Sequence, residues 1–234
     1  MSASLGNDKA LRNFYSKVVP IVPTIRAILW DNDGVLFDSE RLFFALTQRV
    51  FAENMLELTA ELWAAQFLGQ GLHTAEIAGL LGMNPARARA MASHRDSLWY
   101  ERLNCPVPLV KNAISTIQAL QGQVRMAIVT GAPREHFEGL HRFESLQQYM
   151  EFSITMEECA QVKPSPAAFL LAAEMLGLQP AECLVIEDSP RGLRAALAAG
   201  MPCALLATAL TDLTLCPGAT FVIHDLAEIP ALLQ

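Results

Sequence analysis

Ile25-Arg26-Ala27-Ile28-Leu29-Trp30-Asp31-Asn32-Asp33-Gly34 is a short apolar run that stops on two acids and a glycine. Its length and its Ile and Leu content suit a buried strand ending in a tight turn. Working outward, four further runs share this character: Val124 to Thr130, Phe152 to Thr155, Cys183 to Ile186 and Cys203 to Ala207. A weaker run, Thr220 to Ile223, suits a sheet edge. Helical patterns fall between them, over Val110 to Leu120, after Pro133, from Pro166 to Leu176, and from Arg191 to Ala199 with Gly200 as its stop. Strands alternating with helices predict an α/β fold, a Rossmann-like, doubly wound parallel sheet covered on both faces.

From Arg41 to Leu103 the alternation breaks, with helical periodicity and no convincing strand. Asn84 and Pro85 form an N-cap and first-turn signal for a long helix ending near Leu103, and Gly69 and Gly82 are the expected stops of the two helices before it. Phe43, Phe44, Phe51, Trp63, Phe67 and Trp99 recur at roughly helical spacing and read as the core of this unit, with no catalytic role, while Phe43 or Phe44 could line the cleft. Pro106 and Pro108 return the chain to the sheet. The predicted organisation is an N-terminal extension (1–24), a catalytic core (25–40 and 107–234) and an inserted α-helical cap (41–106) hinged over it. For the extension the sequence leaves a short docked helix and a mobile segment equally open.

With 52% hydrophobic and 18% charged residues over 234 positions, the chain is globular and disorder is excluded. A net charge of −7 without a run of like charges argues against a nucleic-acid face and against a polybasic membrane patch. The 5 cysteines are odd in number and show no CxxC spacing, so they read as free thiols of a reducing compartment. Val18, Val19, Ile21 and Val22 are interrupted by Pro20 and Pro23, too short a run for a signal segment or a spanning helix. The expected location is the cytoplasm. The oligomeric state is not written in the sequence, and a monomer is compatible with it.

The chemistry-bearing residues gather at predicted strand ends. Asp31 and Asp33 follow the first strand, and in DxD spacing both carboxylates can share one side while the intervening side chain points away. Alone they would equally suit turn caps. Glu187 and Asp188 end a second run, and four carboxylates brought together would need a cation; an all-oxygen site of this kind suits Mg²⁺. Taken by themselves these two also fit a helix N-cap. Thr130 and Gly131 offer a hydroxyl and free N–H groups before a helix start, as an anion cradle or an ordinary turn. Lys163, kept extended by Pro164, can reach into a cleft or lie solvated on the surface.

The order Asp31/Asp33, Thr130, Lys163, Glu187/Asp188 resembles the haloacid dehalogenase superfamily. DNDGVLFDSE (31–40), VTGAP (129–133), VKPSPAAF (162–169) and VIEDSPRGLRAALAAG (185–200) match its four motifs in order, and the likeness spans residues 25 to about 226. It is closest to the small-capped branch of β-phosphoglucomutase-like and phosphoglycolate-phosphatase-like proteins. The resemblance implies that Asp31 attacks phosphorus to form an aspartyl phosphate and that Asp33 is the general acid and base. It further implies Mg²⁺ on Asp31, Asp188 and the Asp33 carbonyl with Glu187 direct or through water, phosphoryl binding by Thr130 and Gly131, and charge neutralisation by Lys163. Gln70, Gly71 and His73, on a glycine-flanked loop between helices, are candidates for contacting the leaving group; for His73 an exposed turn residue is the equal alternative.

Asp33 separates this chain from dehalogenases and phosphonatases of the superfamily, which lack that aspartate, and 41–103 contains no lysine for a phosphonatase Schiff base. A mutase shares all four motifs. Its histidine position is Phe43 here, and the loop Leu68 to His73 has no lysine, so a second phosphate would depend on Arg41, Arg49 or His73. The expectation is therefore a Mg²⁺-dependent phosphatase of a small phosphorylated metabolite, a sugar phosphate or similar monoester, with a phosphosugar mutase as alternative. A receiver-type phosphoacceptor domain has no place for so large a helical insertion. A dinucleotide site is weaker still, because Gly69, Gly71 and Thr74 give only a broken fingerprint.

Overall fold

The computed structural model describes residues 24–233, so the expected N-terminal extension lies, except for its last residue, outside the described residues. Six strands form one parallel sheet: β1 (Ala27–Trp30), β2 (Arg125–Val129), β3 (Ser153–Ile154), β4 (Cys183–Glu187), β5 (Cys203–Leu206) and β6 (Phe221–Ile223). Their order is β3-β2-β1-β4-β5-β6, with the weakest predicted run at an edge. The chain thus winds outward from β1 in one direction and from β4 in the other, which opens a crevice at the carboxyl ends of these two central strands. Trp30 is in register with Ile128 on β2 and Ile186 on β4, so Asp31 leaves the sheet beside the end of β4.

Period-two alternation divides the core. Ile28, Trp30, Met126, Ile128, Leu184 and Ile186 pack on one face, and Ala27, Leu29, Ala127, Val129, Cys183 and Val185 on the other. Being buried on both sides, these strands read as continuous apolar runs.

Four helices occupy the segment between β1 and the return of the chain at Pro108: α1 (Ser39–Glu53), α2 (Trp63–Gln70, π-helical and entered by the single turn Ala60–Leu62), α3 (Thr74–Leu80) and α4 (Pro85–Arg102). Asn84 caps α4 through an N–H bond from Ala86 at 2.9 Å, with Pro85 in its first turn. Gly82 follows α3 with a positive φ as expected, whereas Gly69 does not stop α2. Gly69 lies within that helix, and Gly71, at φ 76°, ends it. Phe44, Val50, Phe51, Trp63, Ile77 and Met91 give these helices a core of their own. Trp99 is the exception among the aromatic positions, since it packs with the sheet residues instead.

The chain leaves and re-enters the sheet region side by side. Phe37 bridges antiparallel to Leu109, the Asp38 N–H donates to the Pro108 carbonyl and the Val110 N–H to the Leu36 carbonyl, each at 2.9 Å. Four more helices cover the sheet: α5 (Ala113–Leu120), α6 (Arg134–His141), α7 (Ala167–Leu176) and α8 (Pro190–Ala198). α5 starts three residues later than the Val110 boundary, because Asn112 takes a left-handed φ of 63° that a helix cannot contain.

Candidate active site

Alternation along β1 sends Asp31 and Asn32 to opposite faces, and two separate constellations result. Asp31 shares its face with Glu187 at the end of β4 and with Lys163, just ahead of α7. Lys163 sits in a turn rather than on extended chain, joined to Pro164 by a cis peptide. Its Nζ donates to Asp31 Oδ1 at 2.5 Å, to Glu187 Oε1 at 2.6 Å and to the Val129 carbonyl at 2.9 Å, and stands 5.0 Å from the Phe169 ring centre. The ammonium is buried, so the solvated-lysine alternative does not hold. Burial disfavours its charge, but Asp31 and Glu187 outweigh this and raise its pKa.

Asp31, Glu187 and Asp188 bring one carboxylate oxygen each to within 4.8 Å of one another, and all three residues are buried. Burial, then the neighbouring acids, push the Asp31 and Asp188 pKa values up. Three carboxylates against one ammonium leave excess negative charge in a low-dielectric place, which is the environment of an oxygen-ligated divalent cation. Ser189 caps α8 by accepting from the Gly192 N–H at 3.0 Å, while its own hydroxyl donates to Glu187 Oε2 at 3.0 Å. The capping role expected for the acids thus falls to the serine beside them. Gly34, at φ 75°, lets the turn pass Asp188: a Cβ there would stand 2.0 Å from Asp188 Oδ2.

The Asp33 side chain does not join this group. The turn after Asn32 carries it away, and its Oδ1 accepts from Ser39 Oγ at 2.7 Å and bonds His136 Nε2 at 2.7 Å. The convergence of four acidic side chains is therefore corrected to three. Burial acts to raise the Asp33 pKa, but the hydrogen bonds from His136, Ser39 and Asn32 act to lower it. Asn32, fully buried, donates to Asp33 Oδ2 at 3.4 Å, and its Oδ1 meets His141 Nε2 at 3.0 Å.

Thr130, also buried, follows β2 next to β1, and its Oγ accepts from the Ala132 N–H at 3.0 Å, in the turn ahead of α6. Gly131 is exposed with no atom within 4 Å of where a Cβ would stand, so this turn is open on its outer side. Gln70 is the last residue of α2 rather than part of the loop expected there, and is exposed; His73, also exposed, is the N-cap residue of α3, and its N–H donates to Glu76 at 2.7 Å. Gly71 lies against Arg191 of α8, and the Gly69 carbonyl accepts from Arg194.

Three residues at or beside the site were not singled out from the sequence. His136 touches Asp33, and its other ring nitrogen accepts from Trp99 Nε1 at 3.0 Å. Glu40 accepts from Trp63 Nε1 at 2.7 Å, and burial raises its pKa to about 7. Arg191 carries a buried Nε without a partner among the described residues. The available signals were thin: Glu40 sits inside the first motif, and His136 three residues after Pro133.

Fold and crevice together define an α/β enzyme with acids at the ends of two adjacent parallel strands. A family model described as haloacid dehalogenase-like hydrolase matches residues 25–200. The chain belongs to the haloacid dehalogenase-like hydrolase family and is an enzyme of that class. It is 28% identical over 181 residues to the fructose-1-phosphate phosphatase YqaB of Escherichia coli, covering 74% of this chain and 92% of the relative. It is also 28% identical over 217 residues to a plasmid-encoded phosphoglycolate phosphatase of Cupriavidus necator, covering 88% and 92%. A solved HAD family hydrolase of Deinococcus radiodurans, with bound phosphate and sodium, superposes with a TM-score of 0.73 at 29% identity, covering 90% of this chain and 95% of that one.

Proposed function

We propose that this protein is a Mg²⁺-dependent phosphatase that hydrolyses a small phosphorylated metabolite, a sugar phosphate or similar monoester, through an aspartyl phosphate on Asp31. The observation that carries the proposal is the buried trio Asp31, Glu187 and Asp188 with Lys163 bonded to two of them, at the crevice between β1 and β4. The named activities of the relatives support it.

Mg²⁺ fits the trio by donor type, hard carboxylate oxygens in charge excess. Asp31, Asp188 and Glu187 with the Asp33 carbonyl would hold it, and it would supply charge neutralisation between an anionic nucleophile and an anionic phosphate. Asp31 forms the O–P bond as the ester P–O bond breaks, and Asp33 gives the leaving oxygen its proton. Water then attacks the phosphorus, Asp33 takes the water's proton, and the Asp31 carboxylate is released with inorganic phosphate. Incoming phosphoryl charge acts on Asp33 in the direction that lets it hold the proton it must give. Lys163 orients Asp31 and balances charge at its Oδ1, while the Thr130 hydroxyl and the Gly131 N–H bind phosphoryl oxygens.

Segment 41–106 acts in this proposal as a cap on the core of 25–40 and 107–234, with Gln70, Gly71 and His73 nearest the leaving group. The pairing of the exit and return segments supports a hinge there. The cations that a mutase would need for a second phosphate are engaged elsewhere or turned outward: Arg41 pairs with Asp38, Arg49 with Glu53, and His73 is exposed. This favours hydrolysis over phosphosugar interconversion. Five unpaired thiols support a reducing, cytoplasmic setting, and among the described residues no helix is long and apolar enough to cross a membrane.

Phosphate release over a panel of phosphomonoesters, with and without Mg²⁺, tests the proposal. Asp31→Asn is expected to lose at least about a thousandfold in turnover. Retained activity in that variant would remove the nucleophile, and bisphosphate-dependent interconversion of a hexose 1-phosphate and 6-phosphate would make the protein a mutase.

A further inference from the structure

Trp99, His136 and Asp33 form a chain of hydrogen bonds that starts on the last helix of the inserted segment and ends on the proposed acid/base carboxylate. The indole Nε1–H can only donate, and it lies 3.0 Å from His136 Nδ1. Nδ1 is therefore the acceptor, the ring proton is on Nε2, and Nε2–H donates to Asp33 Oδ1 at 2.7 Å. Burial lowers the His136 pKa while Asp33 and Glu40 outweigh this and raise it, but an imidazolium would set an Nδ1–H nose to nose against the indole N–H, so the Trp99 contact is what holds the ring neutral. The two rings also stack, with centroids 5.7 Å apart at 30°, and Phe43 meets Trp99 edge-on at 5.0 Å, so the indole is fixed from both sides. Trp99 is 3% exposed.

We infer that His136 is a positioning residue whose tautomer is set by Trp99 and whose Nε2–H, together with Ser39, grips Asp33 Oδ1 and leaves Oδ2 as the oxygen that carries the proton. Both short bonds fall on Oδ1, whereas among the described residues Oδ2 has only the 3.4 Å contact from Asn32. An oxygen accepting two such bonds is the less basic of the pair. A carboxylate held this way cannot rotate between turnovers, so the same oxygen faces the leaving group and later the water. This inference rests on the proposed role of Asp33, and it explains why an indole N–H from the helical insertion reaches across to α6.

The test uses the full chain with Mg²⁺, p-nitrophenyl phosphate and the best alkyl phosphate of the panel, and the variants His136→Ala, His136→Gln and Trp99→Phe. A nitrophenolate leaves without a proton, whereas an alkoxide needs one. In His136→Ala the alkyl ester is expected to lose about a hundredfold in kcat with little change in KM. The first turnover of the nitrophenyl ester should be spared, giving a stoichiometric burst as water activation slows. His136→Gln, whose amide can still donate to Asp33, should recover most of that loss, and Trp99→Phe should cost about tenfold in kcat without loss of thermal stability. Equal slowing of both first turnovers, or an unchanged kcat in Trp99→Phe, would overturn the inference. Ring-nitrogen NMR shifts of His136 in the parent provide an arm independent of activity. They should report a neutral Nε2–H ring, and an imidazolium or an Nδ1–H ring would overturn the inference even if Asp31→Asn had upheld the phosphatase. Conversely, Asp31→Asn retaining activity alongside the Nε2–H ring would sink the phosphatase and leave the tautomer standing.

Discussion

Gly192 leaves the space that the Glu187 carboxyl fills. A Cβ at 192 would lie 1.8 Å from Glu187 Cδ and 1.9 and 2.0 Å from its oxygens, in a place where Glu187 is 1% exposed. The first turn of α8 and the end of β4 therefore close on one another only because residue 192 has no side chain.

Gly192→Ala must move either the helix or the carboxyl. Overpacking of this kind costs about 1–3 kcal/mol, and the displaced Glu187 also loses its place on Lys163. The expected result is a fall in Tm of several degrees, about 2–4 °C for each kcal/mol, with weakened stabilisation by Mg²⁺ in the same melts. An unchanged Tm and Mg²⁺ response would show that the carboxyl has room elsewhere.

Lys163→Met leaves Asp31, Glu187 and Asp188 facing one another without their ammonium. Breaking a buried pair in this way costs about 3–5 kcal/mol. The sign of its pH dependence follows from the acids: Asp31 and Asp188 already have raised pKa values in the folded protein, and losing the lysine raises them further. The folded state then binds more protons than the unfolded one, so stability rises as pH falls from about 8 toward 6. Urea denaturation at these two pH values measures it, and a loss of equal size at both would contradict it.

Cation binding has to displace the protons that burial and mutual repulsion keep on Asp31 and Asp188. Apparent Mg²⁺ affinity should fall as pH is lowered, by up to about tenfold per pH unit for each proton displaced. Calorimetry in two buffers of different ionisation enthalpy counts the protons released, and Asp188→Asn should release fewer. Affinity independent of pH between about 6 and 8 would mean that the acids are already ionised.

His141 is buried as a neutral ring, with Nδ1 accepting from the Leu146 N–H at 3.2 Å and Nε2 bonded to Asn32 Oδ1 at 3.0 Å. Burial lowers its pKa from 6.5 to about 4. The folded state then binds fewer protons than the unfolded state between those values. The associated stability, roughly 3 kcal/mol at most, is present above about pH 6.5 and is lost as pH falls toward 4. Chemical denaturation across this range should show a shallower decline in His141→Gln than in the parent, and parallel curves would assign the decline to other groups.

The strands were legible because a sheet covered on both faces imposes continuous apolar runs, and acids directly after such runs can only lie at the carboxyl edge. That edge, the helical insertion and the order Asp31, Thr130, Lys163, Glu187 follow from residue types and spacing along the chain. Local reading went astray where two stops compete, as at Gly69 and Gly71, since either glycine could end α2 and only its packing chose between them.

Distances across the fold carry the rest. DxD spacing lets two carboxylates share a side, and nothing local revealed that Asp33 would turn to Ser39 and His136 while Asp31 stayed with Lys163. Trp99 has the spacing of a helical core residue; its indole N–H found a partner 37 positions further on because α4 returns against α6. Periodicity records which face of an element is apolar. It holds no record of which polar atom on another element will meet a given donor, because that pairing is settled only when the helices and the sheet close on one another and every buried N–H must find an acceptor.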